Sequence, residues 1–125
     1  MKKIIVGFRT PDEGVLVFLR AAPRHILVNT VSVDVCLFLR KNGINCASSR
    51  ITLNRMFIEP GDIVVLNAGD MNPDVATACP AILVIDPADY AAVAAELHAS
   101  ATNEVSPETR ARLHAKLVNA LHVVS

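Results

Sequence analysis

The sequence predicts an α/β protein, a three-layer Rossmann-like or flavodoxin-like domain with a mostly parallel sheet of about five strands. Short apolar, often β-branched runs such as 63–66 and 81–85 alternate along the chain with segments of helical character. Strands of a parallel sheet read as uninterrupted apolar runs because helices cover both of its faces. Four helix starts place a capping side chain directly before a proline, at Thr10, Asn72, Asp86 and Ser106.

Length and composition indicate one domain over residues 1–125, with 52% hydrophobic and 19% charged residues. Acidic and basic residues balance to a net charge of zero, so we expect no general nucleic-acid binding. An apolar chain without net charge has little protection against self-association, which favours a homo-oligomer over a monomer with an Ala- and Val-rich core.

The basic start of the chain precedes only five apolar or small residues, from Ile4 to Phe8, which is too short for a signal peptide. No apolar run approaches the roughly 20 residues that span a bilayer. We therefore expect a cytoplasmic protein that does not enter a membrane.

The first half of the chain predicts three strands and two helices. Strand 3–8 leads into helix 11–21, and strand 25–29 leads into a second helix. Thr30 or Ser32 caps that second helix, and Gly43 ends it after a basic last turn. Its apolar residues point nearly all round, which predicts a helix sandwiched between layers. A third strand, with the weakest pattern, covers 44–53.

The second half predicts two strands and three helices. Pro60-Gly61-Asp62 forms a turn, and 67–71 forms a loop after a strongly apolar strand. The predicted elements are strand 63–66, a short helix from Asn72 to Cys79, strand 81–85, a helix from Asp86 to Ser100, and a last helix that begins at Ser106 and carries Leu113, Leu117 and Leu121 on one stripe.

Polar residues follow several of these strands. Ligands of open parallel sheets bind beyond the carboxyl ends of the strands, where helix N-termini also favour anions. Arg9 would add a full positive charge. The candidate ligand-binding residues are Arg9, Thr10, Asn29, Thr30, Ser32, Asn67, Gly69, Asp70 and Asn72, with Arg50 reaching in from a neighbouring strand or subunit.

Simpler interpretations exist for most of these residues. No GxGxxG or GxxxxGK[ST] phosphate loop occurs. Thr10, Thr30 and Ser32 are explained as helix caps, residues 67–70 as a connecting loop, and Arg50 as a solvated charge. The sequence assigns no cofactor.

Cysteine and basic residues elsewhere indicate structural roles. Cys36, Cys46 and Cys79 lack the spacing of a disulfide framework or a zinc site, and the first two read as small core residues. The basic residues of the last helix, Arg110, Arg112 and Lys116, read as a solvated face.

Three functions remain open from the sequence. The first is a binding or sensing domain for a small anionic, nucleotide-like ligand, working as a homo-oligomer. The second is a small enzyme at the same sheet edge, with Asp70 or Asp86 as base and Arg9 or Arg50 holding the substrate. The third is an assembly or interaction protein whose apolar excess serves partner contacts.

Overall fold

A computed structural model of the chain describes residues 3–8, 13–23, 25–48, 58–67, 70–100 and 104–124. Five parallel strands form one sheet in the order β3-β2-β1-β4-β5. The strands are β1 (Lys3–Val6), β2 (Leu27–Thr30), β3 (Cys46–Ser48), β4 (Ile63–Val65) and β5 (Ile82–Val84). The helices are α1 (Glu13–Ala21), α2 (Val33–Lys41), α3 (Pro73–Ala78), α4 (Tyr90–Ala99) and α5 (Pro107–Val124).

The strand order confirms the predicted α/β class and gives it a Rossmann arrangement. From β1 the chain builds outward to β2 and β3, and then returns to add β4 and β5 on the other side of β1. The order therefore reverses between β1 and β4, which are paired neighbours with Ile5 aligned with Val64. In open parallel sheets this reversal opens a crevice at the carboxyl edge, the usual place for a ligand.

Two apolar clusters cover the two faces of the sheet. On one face Ile4, Val6 and their neighbours pack under α1, α2 and α4. On the other face Ile5, Val64 and Leu83 pack with α3 and with the α5 residues Leu117 and Leu121. The side chains of β1 point alternately to the two faces because side chains in a strand have a period of two residues. The predicted leucine stripe of the last helix is confirmed, since all three leucines are buried.

The ends of α2 follow from local chemistry. Ser32 is its N-cap, and its Oγ accepts a hydrogen bond from the Val35 N–H at 3.4 Å. At the other end Gly43 has φ +85°, a conformation that favours glycine. The N–H groups of Gly43 and Ile44 then bond the carbonyls of Arg40 and Leu39. Ser32 was one of the two predicted caps, whereas Thr30 remains within β2.

Several predicted boundaries change. The strands are shorter than their apolar runs, and β2 starts at Leu27 rather than His25. The helix predicted from Asp86 begins as a 3-10 turn, Pro87–Asp89, before α4. Of the weak strand 44–53 only Cys46–Ser48 is a strand in the described chain, and 49–53 lie outside it, as do positions 11 and 12 of the first helix.

The prediction that α2 is sandwiched between layers is wrong. Val33 is 47% exposed and Leu37 61% exposed, while Val35, Cys36 and Leu39 are buried. The helix therefore lies on the surface and places two large apolar side chains in solvent. A one-dimensional pattern cannot distinguish a second packed layer from an apolar face left open to water.

Among the helices within the described ranges, none combines the length and apolar character needed to cross a bilayer.

Candidate functional site

Backbone hydrogen bonds hold the carboxyl ends of the central strands side by side. The Gly7 N–H donates to the Val65 carbonyl at 2.7 Å, and the Val31 N–H donates to the Val6 carbonyl at 3.3 Å. The Leu66 N–H donates to the Val84 carbonyl. The turns that follow β1, β2, β4 and β5 therefore leave the sheet at one common edge, which we call the carboxyl edge.

Thr30 and Ser32 occupy this edge with structural hydrogen bonds. The Thr30 side chain is fully buried, and its Oγ1 donates to the Ser32 carbonyl at 2.9 Å. Ser32 caps α2. These bonds fix the turn between β2 and α2, so the interpretation of this turn as a capped connection accounts for both side chains.

Asn67, Asp70 and Asn72 shape the loop between β4 and α3. The Asn67 N–H donates to the Asp70 Oδ2 at 2.8 Å, and the Asp70 N–H donates to the Asn67 carbonyl at 3.0 Å. Asn72 is the N-cap of α3 and accepts from the Asp74 N–H. The predicted cap at Asn72 is confirmed, and the loop is closed by its own polar groups.

Asn29 differs from the other predicted residues. Its Oδ1 is buried and has no hydrogen-bond partner within the described chain, a state it shares with the Ser48 Oγ. Asn29 aligns with Ile5 on β1 and Ala47 on β3, so its side chain leaves the sheet on the face of Ile5. Buried acceptors are nearly always satisfied, and exceptions often mark sites where a ligand or water binds.

Four predicted site residues, Arg9, Thr10, Gly69 and Arg50, lie outside the described residues.

An ion-pair network at the end of β5 was not predicted. The Asp89 side chain is only 3% exposed, and its carboxylate pairs with Lys116 at 2.8 Å and with Arg112 at 3.4 Å. Lys116 also bonds Asp86 at 3.1 Å. The Ala88 N–H and Lys116 hold the pKa of Asp86 below its usual range, and bonds to Asp89 and Asp86 raise the pKa of Lys116. The predicted exposure of Arg112 and Lys116 is confirmed in part, since their side chains are 50% and 38% exposed, but their pairing with a buried aspartate appears only in the fold.

The described charges at the carboxyl edge are mainly acidic. Acidic residues occupy the first turns of α1, α2 and α3, and Asp70 lies in the loop after β4. Such residues are favourable at helix N-termini because the helix dipole attracts them. They also repel a highly charged anion, which limits the charge of a ligand at this edge.

One cavity lined by described residues lies away from this edge. It has a volume of about 420 Å³ and lies between α3, the start of β5 and α5, with Cys79, Arg110 and His114 among its lining residues. Burial raises the pKa of the Cys79 thiol. Another cavity, of about 380 Å³, lies near the starts of β1 and β2. Both are at the amino edge of the sheet, opposite the predicted site.

Cys36 and Cys46 are in contact, which their spacing in the sequence does not suggest. Their Sγ atoms are 3.5 Å apart, and both side chains are buried. Burial, helped by the neighbouring Cys36, raises the pKa of Cys46 to about 11. A thiol that stays protonated is a poor nucleophile, which agrees with their interpretation as core residues. Among the residues the structure describes, no three His, Cys, Asp or Glu side chains form a metal-binding group.

The sheet order and the capped turns at its carboxyl edge define a three-layer α/β protein of Rossmann topology. The chain has no match among protein-family profiles or among curated proteins.

Proposed function

We propose that this protein binds a small anionic, nucleotide-like ligand at the carboxyl edge of its sheet and works as a homo-oligomer. The reversal of strand order between β1 and β4 supports this position, because that is where open parallel sheets bind ligands. The Oδ1 of Asn29, one residue before the end of β2, has no hydrogen-bond partner among the described residues, and this single observation carries the proposal.

The chemistry of the edge narrows the ligand class. The Asn29 Oδ1 is an acceptor, so its partner must donate an O–H or N–H group. The acidic first turns disfavour a polyanion, whereas Arg9, three residues after β1 in the sequence, supplies one positive charge. A ligand with hydroxyl donors and a single phosphate, such as a nucleoside monophosphate or a sugar phosphate, fits both conditions.

The enzyme hypothesis has less support. Asp70 accepts a bond from its own loop, and Asp86 is bonded to Ala88 and Lys116 with a lowered pKa. A general base works best with a pKa near the operating pH, and a lowered pKa moves Asp86 away from it. An assembly protein remains the other candidate, supported by the exposed apolar side chains of α2.

Binding is tested by thermal shift and calorimetry with a nucleoside, its monophosphate and its triphosphate, together with a sugar phosphate. We expect the monophosphates to raise the melting temperature most. The key variant is Asn29→Leu, which removes the buried acceptor. The unliganded variant should melt at or above the wild-type temperature, because an unsatisfied polar group is lost, and its ligand-induced shift should disappear.

The control variant is Arg110→Gln, which alters the cavity between α3 and α5 without touching the carboxyl edge. It should bind like the wild type. Loss of binding in Arg110→Gln with full binding in Asn29→Leu would move the site to that cavity. A panel that gives no shift at all with the wild type would remove the proposal.

A further inference from the structure

Large exposed apolar side chains are concentrated in the first part of the described chain. They are Val17 on α1, Leu27 on β2, and Val33 and Leu37 on α2, each at least 47% exposed. Val33 and Leu37 are four residues apart, so they lie on one face of α2. Val33 and Leu37 therefore form an apolar pair on one face of α2, and such exposed apolar pairs are candidates for an interaction surface.

The position of α2 in the fold leaves this face accessible. α2 packs on β2 and β3, and β3 is the outermost strand on its side of the sheet. The opposite outer strand, β5, is packed against α5. Each outer strand is therefore covered by a helix, but among the described residues the large exposed apolar side chains Val33 and Leu37 lie on the α2 side and none lies on α5.

The outward face of α2 is complementary to itself. Leu37 is the middle residue of Val33–Lys41, with Asp34 in the first turn and Arg40 and Lys41 in the last. All four of these side chains are exposed. A second α2 laid antiparallel across the first, with the two Leu37 side chains in contact, brings Asp34 of each helix opposite the basic end of the other. A twofold axis requires this kind of self-matching surface.

We propose that two copies of this chain form a symmetric dimer through antiparallel α2 helices, with Leu37 at the twofold axis. Contact between the Leu37 and Val33 side chains removes apolar surface from water, and the two Asp34–basic pairs fix the antiparallel direction. Arg40 takes part through its terminal nitrogens, because its Nε already donates to the Cys46 carbonyl at 2.9 Å. A contact built on one short helix is smaller than a standard interface, so we expect a weak dimer that dissociates on dilution.

The dimer gives the homo-oligomer of the proposed function a specific geometry, but it does not depend on the ligand. Its tests are made without ligand, so their failure is distinguishable from a failure to bind nucleotides. The first test is sedimentation velocity of the wild type across micromolar to millimolar protein. We expect a shift from monomer to dimer, and Leu37→Lys should abolish it.

Leu27→Lys is the matched control, because it replaces a leucine of similar exposure on the opposite face of the sheet. It should dimerise like the wild type. Dissociation by Leu27→Lys, or an unchanged dimer with Leu37→Lys, would overturn the proposal, as would a wild type that stays monomeric over the whole range.

Two charge variants test the antiparallel direction. Asp34→Lys makes both ends of the α2 face basic, and the double variant Arg40→Glu/Lys41→Glu makes both ends acidic. Each should be monomeric alone through repulsion, and an equimolar mixture should form a heterodimer in which both charge pairs are restored. Circular dichroism checks that each variant is folded. A mixture of folded variants that stays monomeric would contradict the antiparallel contact.

Discussion

The carboxylate of Asp62 binds Lys3 through both of its oxygens, although the residues are 59 positions apart. Its Oδ1 accepts from the Lys3 N–H at 3.0 Å, and its Oδ2 accepts from the Lys3 Nζ at 2.8 Å. The Oδ2 also accepts from the Glu59 N–H, and the Asp62 carbonyl accepts from the Ile82 N–H. One fully buried residue thus joins the starts of β1, β4 and β5.

Replacing Asp62 should destabilise the fold strongly. Asp62→Ala leaves two backbone donors and the Lys3 ammonium without their partner, so we expect a loss of about 3–5 kcal/mol in the free energy of unfolding. Asp62→Asn keeps an acceptor but loses the charge, and a smaller loss of about 1–3 kcal/mol should result. Urea unfolding measures both. An Asp62→Asn variant as stable as the wild type would show that the ion pair with Lys3 contributes nothing to stability.

The buried cysteines should resist alkylation in the native protein. With the pKa of Cys46 near 11, fewer than about one molecule in a thousand carries its thiolate at pH 7.5. Iodoacetamide labelling followed by peptide mass spectrometry should find Cys46 unmodified at that pH and increasingly modified as the pH rises toward 11. Full labelling of the folded protein at neutral pH would contradict the buried contact with Cys36.

Acid should weaken the contact between α4 and α5. Bonds from Thr109 and Ser106 lower the pKa of Glu96, so its carboxylate is favoured in the folded state. This stability is fully present above the unfolded pKa, near 4.3, and is lost as the pH falls through the lower folded value. Urea midpoints from pH 6 to about pH 3 should therefore fall, and Glu96→Gln should flatten that fall. An identical pH profile in the variant would exclude this cause.

The two ends of α2 should each contribute to stability. Ser32→Ala removes the cap and should cost about 1 kcal/mol, whereas Ser32→Asp keeps an acceptor at the helix N-terminus and should cost little. Gly43→Ala should also cost about 1 kcal/mol, through its φ of +85° alone, because an added Cβ meets no atom of the described residues within 4 Å. Chemical denaturation compares the three variants. A neutral Gly43→Ala would contradict the left-handed conformation.

Local signals in the sequence predicted most of the fold. Caps such as Ser32 and Asn72 act within three residues of their position, so the sequence displays them directly. The sheet order, the contact of Cys36 with Cys46, and the pairing of Asp89 with Lys116 depend on which distant elements become neighbours. The exposure of Leu37 depends in the same way on which elements pack against α2. At the carboxyl edge the order of strands and polar turns along the chain was predicted from the sequence. The Asn29 Oδ1, which has no partner in the part of the chain that the structure describes, becomes buried only once β1 and β3 flank it.

The central place of β1 has a consequence for synthesis of the chain. β2 follows β1 closely, but the strand that completes its other side starts only after Asp62, 59 residues beyond Lys3. At about 5–20 residues per second, a ribosome takes about 3–12 s to make that stretch. During this interval β1, the most apolar of the three strands already made, still has exposed the edge with which β4 will pair, and this edge can mispair with other chains. Slower growth at low temperature or an ample supply of chaperones should therefore improve the yield of folded protein.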